Sequence, residues 1–270
     1  MNVFNVFLPI IIATIYFLLI IFIPIIAFLL STAIGYGIAI RKDAKKDDKF
    51  NEKKFMLFMN VLLIIVLFVG YISVFNMLSS AWIRVNQDVY NNSLIENAGS
   101  VIVFGFGLNE ESSGKLLPGR ANEKLQKWIS NNINGKIIIG QYGNMLAWQE
   151  NRDSNSFILM HEHTDSYINT YNAVKFALYK LDSLYSIGKI NNNVIIVAHD
   201  MQLQRIAWIL QEFSEKDANW QKYHFIIPNI HPITFSLKSV QFHTKCRFIY
   251  NCIELFYSRP RDYILTRLMQ

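Results

Sequence analysis

The sequence predicts an α/β domain with a parallel sheet, carried behind two membrane-spanning helices. Three observations lead there. No Asp, Glu, Lys or Arg occurs from Met1 to Ile40, and a second uncharged stretch runs from Phe55 to Ile83. Each exceeds the ~20 apolar residues that carry a helix across a bilayer core. Beyond residue 81, short uniformly apolar runs alternate with amphipathic segments, the pattern of strands buried on both faces and the helices that cover them.

The first stretch reads as an uncleaved span. A signal peptide needs a basic start, a core of only ~7–15 apolar residues and a small-residue cleavage site; here Met1 to Phe7 holds no basic residue and the apolar run continues far longer. Pro9 and Pro24 can kink such a helix without breaking it, because neighbouring groups re-satisfy the freed carbonyls. The linker 41–54 carries seven basic residues against four acidic ones. Short basic loops stay cytoplasmic, which places both termini and the domain 81–270 outside the cytoplasm, with residues 1–80 as the anchor. The linker also supplies half of the chain's net charge of +6. That balance therefore reflects topology and contact with anionic lipid rather than a nucleic-acid partner.

In the domain, Ser100 to Phe104 reads as a buried strand entering the loop Gly105-Phe106-Gly107. Ala121 to Asn131 follows as an amphipathic helix with Leu125, Trp128 and Ile129 on one face. Lys136 to Ile139, ending at Gly140, is a second strand, and Ser156 to Met160 a third. Asn169 to Tyr185 is a helix with Val174, Ala177, Leu178 and Leu181 inward. Asn193 to Ala198 is the clearest strand, with a helix from Met201 to Phe213 after it and a short strand at Phe225 to Ile227. Phe248 to Tyr257 reads as a closing helix. Cys246 and Cys252, six residues apart, do not share one helical patch, so no disulfide is expected between them.

In parallel α/β folds ligands gather at the carboxyl ends of the strands. Candidate residues cluster there. Gly105, Gly107, Gly140 and Gly143 could let backbone N–H groups approach a ligand, although their spacing fits neither common phosphate-loop motif. Arg120 follows Gly119 at the start of a helix, a place suited to an anion. His161-Glu162-His163 invites a metal reading, but lacks the four-residue spacing of two ligands on one helical face; no metal is assigned. Asn169, Thr170 and Asn172 are capping residues by type. After the clearest strand, His199 can do acid–base chemistry, while Gln202 and Arg205 fall in the first turns of the next helix, where Arg205 suits phosphate or carboxylate.

Taken in order, these segments resemble the YdcF-like family, whose anchored bacterial members are of the SanA and ElyC types. The resemblance covers about Gly99 to Gln211. It rests on Val101 to Leu108, Gly119-Arg120, Ile137 to Gly143, Glu162 with Asn169-Thr170-Tyr171-Asn172-Ala173, and Val197 to Arg205; Glu254 sits in a similar closing helix. The chain departs from the family pattern where Tyr171 runs straight into Asn172 with no acidic residue, where Gln202 stands in place of a second His, and where Phe106 interrupts the glycine loop.

The resemblance implies a three-layer αβα, Rossmann-like domain at the inner membrane of a bacterium, acting in cell-envelope and peptidoglycan or lipid-carrier steps. It attaches no firm reaction and no cofactor. The expected role is binding, with or without processing, of a small anionic, phosphorylated or lipid-linked ligand. His199 and Glu162 would carry any chemistry, and Gly105, Gly107, Arg120, Gly140, Gly143, Asn169, Thr170, Asn172, Gln202 and Arg205 the binding. The rival classes are a non-catalytic membrane module that assembles envelope-protein partners, and a metal-assisted hydrolase using His161, Glu162, His163 and His199.

Overall fold

The structure, a computed structural model, describes residues 95–150, 154–161, 168–228, 230 and 235–268, with single helical positions between 11 and 32 and between 60 and 72. The chain divides into two compact units, one running Phe7–Ser79 and one containing Ser80–Gln270. In the first unit the described positions are helical, and Ile11, Ile15, Leu18, Phe22, Ile25 and Leu29 each leave about half of their surface uncovered. Most of the two uncharged stretches and all of the loop 41–54 lie outside the described residues; among the described residues no helix is long and apolar enough to cross a membrane.

The second unit contains β1 (Ser100–Val103), the short β2 (Asn109–Glu110) and β3 (Leu116–Leu117), β4 (Ile137–Gly140), β5 (Ser156–Leu159), β6 (Asn193–Val197) and β7 (His224–Ile226). Five of these form one sheet in the order β5-β4-β1-β6-β7, every pairing parallel, while β2 and β3 make a separate antiparallel pair. The helices are α1 (Arg120–Asn132), α2 (Tyr142–Glu150), α3 (Thr170–Ser186), α4 (Asp200–Lys216), α5 (Ala218–Gln221), α6 (Arg247–Ile253) and α7 (Arg259–Leu268), the last two joined by a π-helical turn at Glu254–Ser258.

The register explains why the inner strands are apolar throughout. Ile102 sits beside Ile139 on one side and Ile196 on the other, and Ile158 extends that row across β5. Alternate residues face opposite ways, so this row packs on Val174, Leu178 and Leu181 of α3 and on Leu203 and Ile206 of α4 in one core cluster. The intervening row, Val101, Ile138 and Ile195, is fully buried on the other face, as are Leu125 and Ile129 of α1. Helices α1 and α2 pack on each other, as do α3 and α4. Helices therefore flank both faces of the sheet, which is the α/β class the apolar strands predict.

Several features escape the sequence reading, among them the short helix α5. Helix α2 holds Tyr142, Met145, Leu146 and Trp148 with no single apolar stripe, so it carries no helical period. The β2–β3 pair is only two residues per strand. The closing helix runs to Leu268 rather than ending near Tyr257, although it contains Pro260. Proline lacks an N–H and crowds the carbonyl four residues before it. Here the preceding turn widens, with the Arg259 N–H donating to the Glu254 carbonyl five residues back, and the chain passes the proline without breaking.

Candidate functional site

Strand order reverses at β1: β4 and β5 lie to one side of it, β6 and β7 to the other. Loops leaving β1 and β6 therefore part in opposite directions, and the crevice between them is where open α/β sheets bind ligands. A cleft of about 100 Å³ occupies this position. It has room for a group of phosphate size and a few waters rather than for a whole drug-sized molecule.

The loop after β1 forms one wall and is held by side chains. The Gly105 N–H donates to Gln141 Oε1 at 2.7 Å and the Phe106 N–H to Asn122 Oδ1 at 2.9 Å, while Asn122 Nδ2 donates to the Gly107 carbonyl at 2.6 Å. Asn122 is 1% exposed. Gly107 has φ of +74°, and a Cβ there would lie 2.9 Å from Thr244 Oγ1 and 3.0 Å from Ser239 Oγ. Glycine is thus required at 107 by both backbone and space. The Gly105 N–H, expected to face a ligand, is already accepted within the protein, as is the Phe106 N–H.

The loop after β6 places His199 behind that wall. Its imidazole is fully buried and stacks on Phe106 with ring centroids 3.8 Å apart; Phe235 and Tyr250 stand 5.1 and 6.5 Å away. The Met201 N–H donates to His199 Nδ1 at 3.2 Å, so the histidine caps α4. Asp200 Oδ1 is 2.8 Å from the same nitrogen.

Arg205, one turn into α4 and 5% exposed, reaches the cleft from below. Its Nη1 donates to Glu254 Oε2 at 2.5 Å, its Nη2 to Thr170 Oγ1 at 2.6 Å, and its Nε lies 3.6 Å from Asp262 Oδ2. Glu254 also accepts from Arg259 Nε at 3.3 Å, and Arg261 Nε donates to Asp262 Oδ1 at 2.8 Å. Arg205, Arg259 and Arg261 thus share one network with the buried Glu254 and Asp262. Burial raises the Asp262 carboxyl, against the pull of Arg205 and Arg261. Burial pushes His243 down to about 4; Arg205 pushes the same way and Glu254 opposes it. Burial, reinforced by Glu254, drives the Tyr250 hydroxyl well above its ordinary value.

Of the candidate residues, Gly105, Gly107, Gly143, Thr170, Gln202 and Arg205 line the cleft. Five of the others do not. Gly140 ends β4, where a Cβ would meet Phe157 Cζ at 2.5 Å and Val103 Cγ1 at 2.7 Å; close packing explains that glycine. Arg120 is exposed on the first turn of α1, outside the cleft lining. Asn169 caps α3 through the Asn172 N–H at 2.8 Å, and the Asn172 side chain is exposed. His199 is walled off by Phe106. The expectation that all these residues converge on one cleft is corrected accordingly, because helix starts and strand ends do not all turn inward. Glu162 and His163 lie outside the described residues.

Among the described residues, the imidazoles that do face the cleft are His161 and His243, together with Tyr250 and Glu254. His243 belongs to a segment of mixed polarity with no period, so nothing local marks it in the sequence. Gln202 Nε2 donates to the Gly105 carbonyl at 3.4 Å, and its Oε1 is buried with no hydrogen-bond donor on it. No group of three His, Cys, Asp or Glu among the described residues is arranged to hold a metal ion. Cys246 and Cys252 are free thiols.

The fold and the cleft define an α/β domain with a polar cleft at its topological switch point. Comparison with known protein families, curated proteins and solved structures finds no match to this chain.

Proposed function

We propose that this chain is a membrane-anchored protein of the bacterial cell envelope whose α/β domain binds a small anionic ligand at the β1/β6 crevice. The observation that carries this reading is the Arg205 guanidinium, buried in the cleft wall and fixed by Glu254 and Thr170. A guanidinium held in a small, partly desolvated cleft suits phosphate or carboxylate. Gln202 Oε1 adds an acceptor, which suits a ligand that also carries hydroxyl donors.

The resemblance to the YdcF-like family supports the envelope assignment, and the two uncharged stretches with their basic linker support the anchor and the extracytoplasmic placement. The half-uncovered apolar side chains of the first unit suit a lipid surround. Binding is the primary role in this reading. With His199 enclosed by aromatic rings, proton transfer to a bound ligand falls to His161 or His243, both of which line the cleft.

The test is direct. Small molecules released by denaturing the purified full chain are identified by mass spectrometry, beside the same extract from Arg205→Gln. An anionic compound held by the wild type and lost from the variant supports the reading. Identical extracts, or a captured cation, would refute it. A reporter fluorescent only in the cytoplasm, fused after Gln270, should stay dark; a bright one overturns the topology.

A further inference from the structure

The segment Ser236–Thr244 is built inside out. Its ends are tied by the Ser236 N–H donating to the Thr244 carbonyl, and its interior is held by a 2.6 Å contact between the Ser239 and Thr244 hydroxyls. Those two polar residues are 3% and 2% exposed, while Leu237 is 80% and Phe242 63% exposed. Tyr257 on the π turn, which shares a shallow hollow with Gln241 and His243, is 60% exposed. Soluble surfaces seldom gather large apolar groups on a loop whose hydroxyls are tucked away beneath them. The arrangement is continuous with the cleft: a shallow hollow edged by Tyr257 shares Gln241, His243, Ile253 and Ser258 with the cleft wall.

Charge identifies the partner. No Asp or Glu occurs between Asp217 and Glu254, whereas Lys238, Lys245 and Arg247 flank the apolar tips. Apolar tips with a basic rim are the composition of segments that sit in the headgroup region of anionic bilayers. We propose that this loop, with Tyr257, docks on the surface of an anionic lipid bilayer and holds the mouth of the cleft against it. The inference rests on the bilayer attachment proposed above and is independent of the ligand's identity.

The test places photoreactive p-benzoylphenylalanine at position 237 or 242 of the full chain, reconstituted in nanodiscs of phosphatidylglycerol and phosphatidylcholine. Control probes go at Tyr179 and Ile187, which are 56% and 61% exposed but lie on and just after α3. After irradiation, lipid adducts should form at 237 and 242 and not at the controls. Replacing Lys238, Lys245 and Arg247 by Gln should cut the adduct yield in anionic discs, by up to about fivefold per cation, with little change in discs of phosphatidylcholine alone. Equal adducts at all four positions, none at 237 and 242, or cross-links to a second protein chain instead of lipid would each overturn the docking. Recovery of the chain in the disc fraction reads the attachment separately. If the chain fails to stay there, irradiation with added vesicles of the same composition still decides whether the loop meets lipid.

Discussion

Phe106 lies flat against His199, ring centroids 3.8 Å apart, and so closes the end of β1 over the end of β6. The same phenyl ring that interrupts the glycine loop is the cover of the histidine. Phe106→Ala should cost about 3–5 kcal/mol of stability, the usual loss for a buried aromatic ring. It should also speed deuterium exchange at the His199 imidazole carbon, read by mass spectrometry. Unchanged exchange would mean that other rings suffice to shield it.

Arg205 ties three elements together through Thr170 of α3, Glu254 of the π turn and Asp262 of α7. Arg205→Met should destabilise the full chain by about 3–5 kcal/mol, because the buried carboxylates lose their main partner. Adding Glu254→Met should recover part of that loss rather than deepen it, a coupling of more than about 1 kcal/mol in a double-mutant cycle. Urea unfolding of the four proteins decides the matter, and simple additivity would show that the pair is not coupled.

His243 sets an acid limit on stability. Its folded value of about 4 lies below the ordinary 6.5, so the unfolded chain binds a proton more readily between those values. Its contribution to stability is therefore full above about pH 6.5 and is lost as pH falls toward 4. The groups around it are Arg205, Glu254 and the Tyr250 ring. The difference in melting temperature between wild type and His243→Asn should shrink steadily across that window. A difference that stays constant would mean that His243 remains chargeable in the fold.

Gly140 and Gly107 separate packing from conformation. Gly140→Ala pushes a methyl into Phe157 and Val103, and overpacking of this kind costs about 1–3 kcal/mol; ligand retention by the folded fraction should not change. Gly107→Ala adds backbone strain of about 1–2 kcal/mol in the left-handed region and displaces Thr244, so it should weaken retention as well. Equal effects of both on the ligand would contradict the placement of Gly140 outside the cleft.

The sheet was legible because its inner strands carry their burial in their composition: Val101 to Val103 and Val194 to Val197 leave no polar residue for either face. Helices α1, α3 and α4 were legible from one apolar stripe each. The site was legible only in part. Arg205, Gly107 and Thr170 sit where strand ends and helix starts point inward, so sequence position alone suggested them. His243, Gln141 and Asn122 reach the cleft through loops and helix flanks with no periodic signal, and the partners Glu254 and Asp262 arrive from more than forty residues downstream of Arg205. Long-range pairing of that kind leaves no local mark. His199 misled for the opposite reason, since a residue fixed at a strand end can be turned inward as readily as outward.

The clamp on Arg205 is drawn from far along the chain: Glu254 lies 49 residues after it, beyond every strand of the sheet. Contacts of such sequence separation close long loops and carry the entropy cost of doing so. The sheet can thus be assembled while Arg205 still lacks both carboxylates, so the cleft wall is among the parts of the domain whose order depends on the most distant pairings.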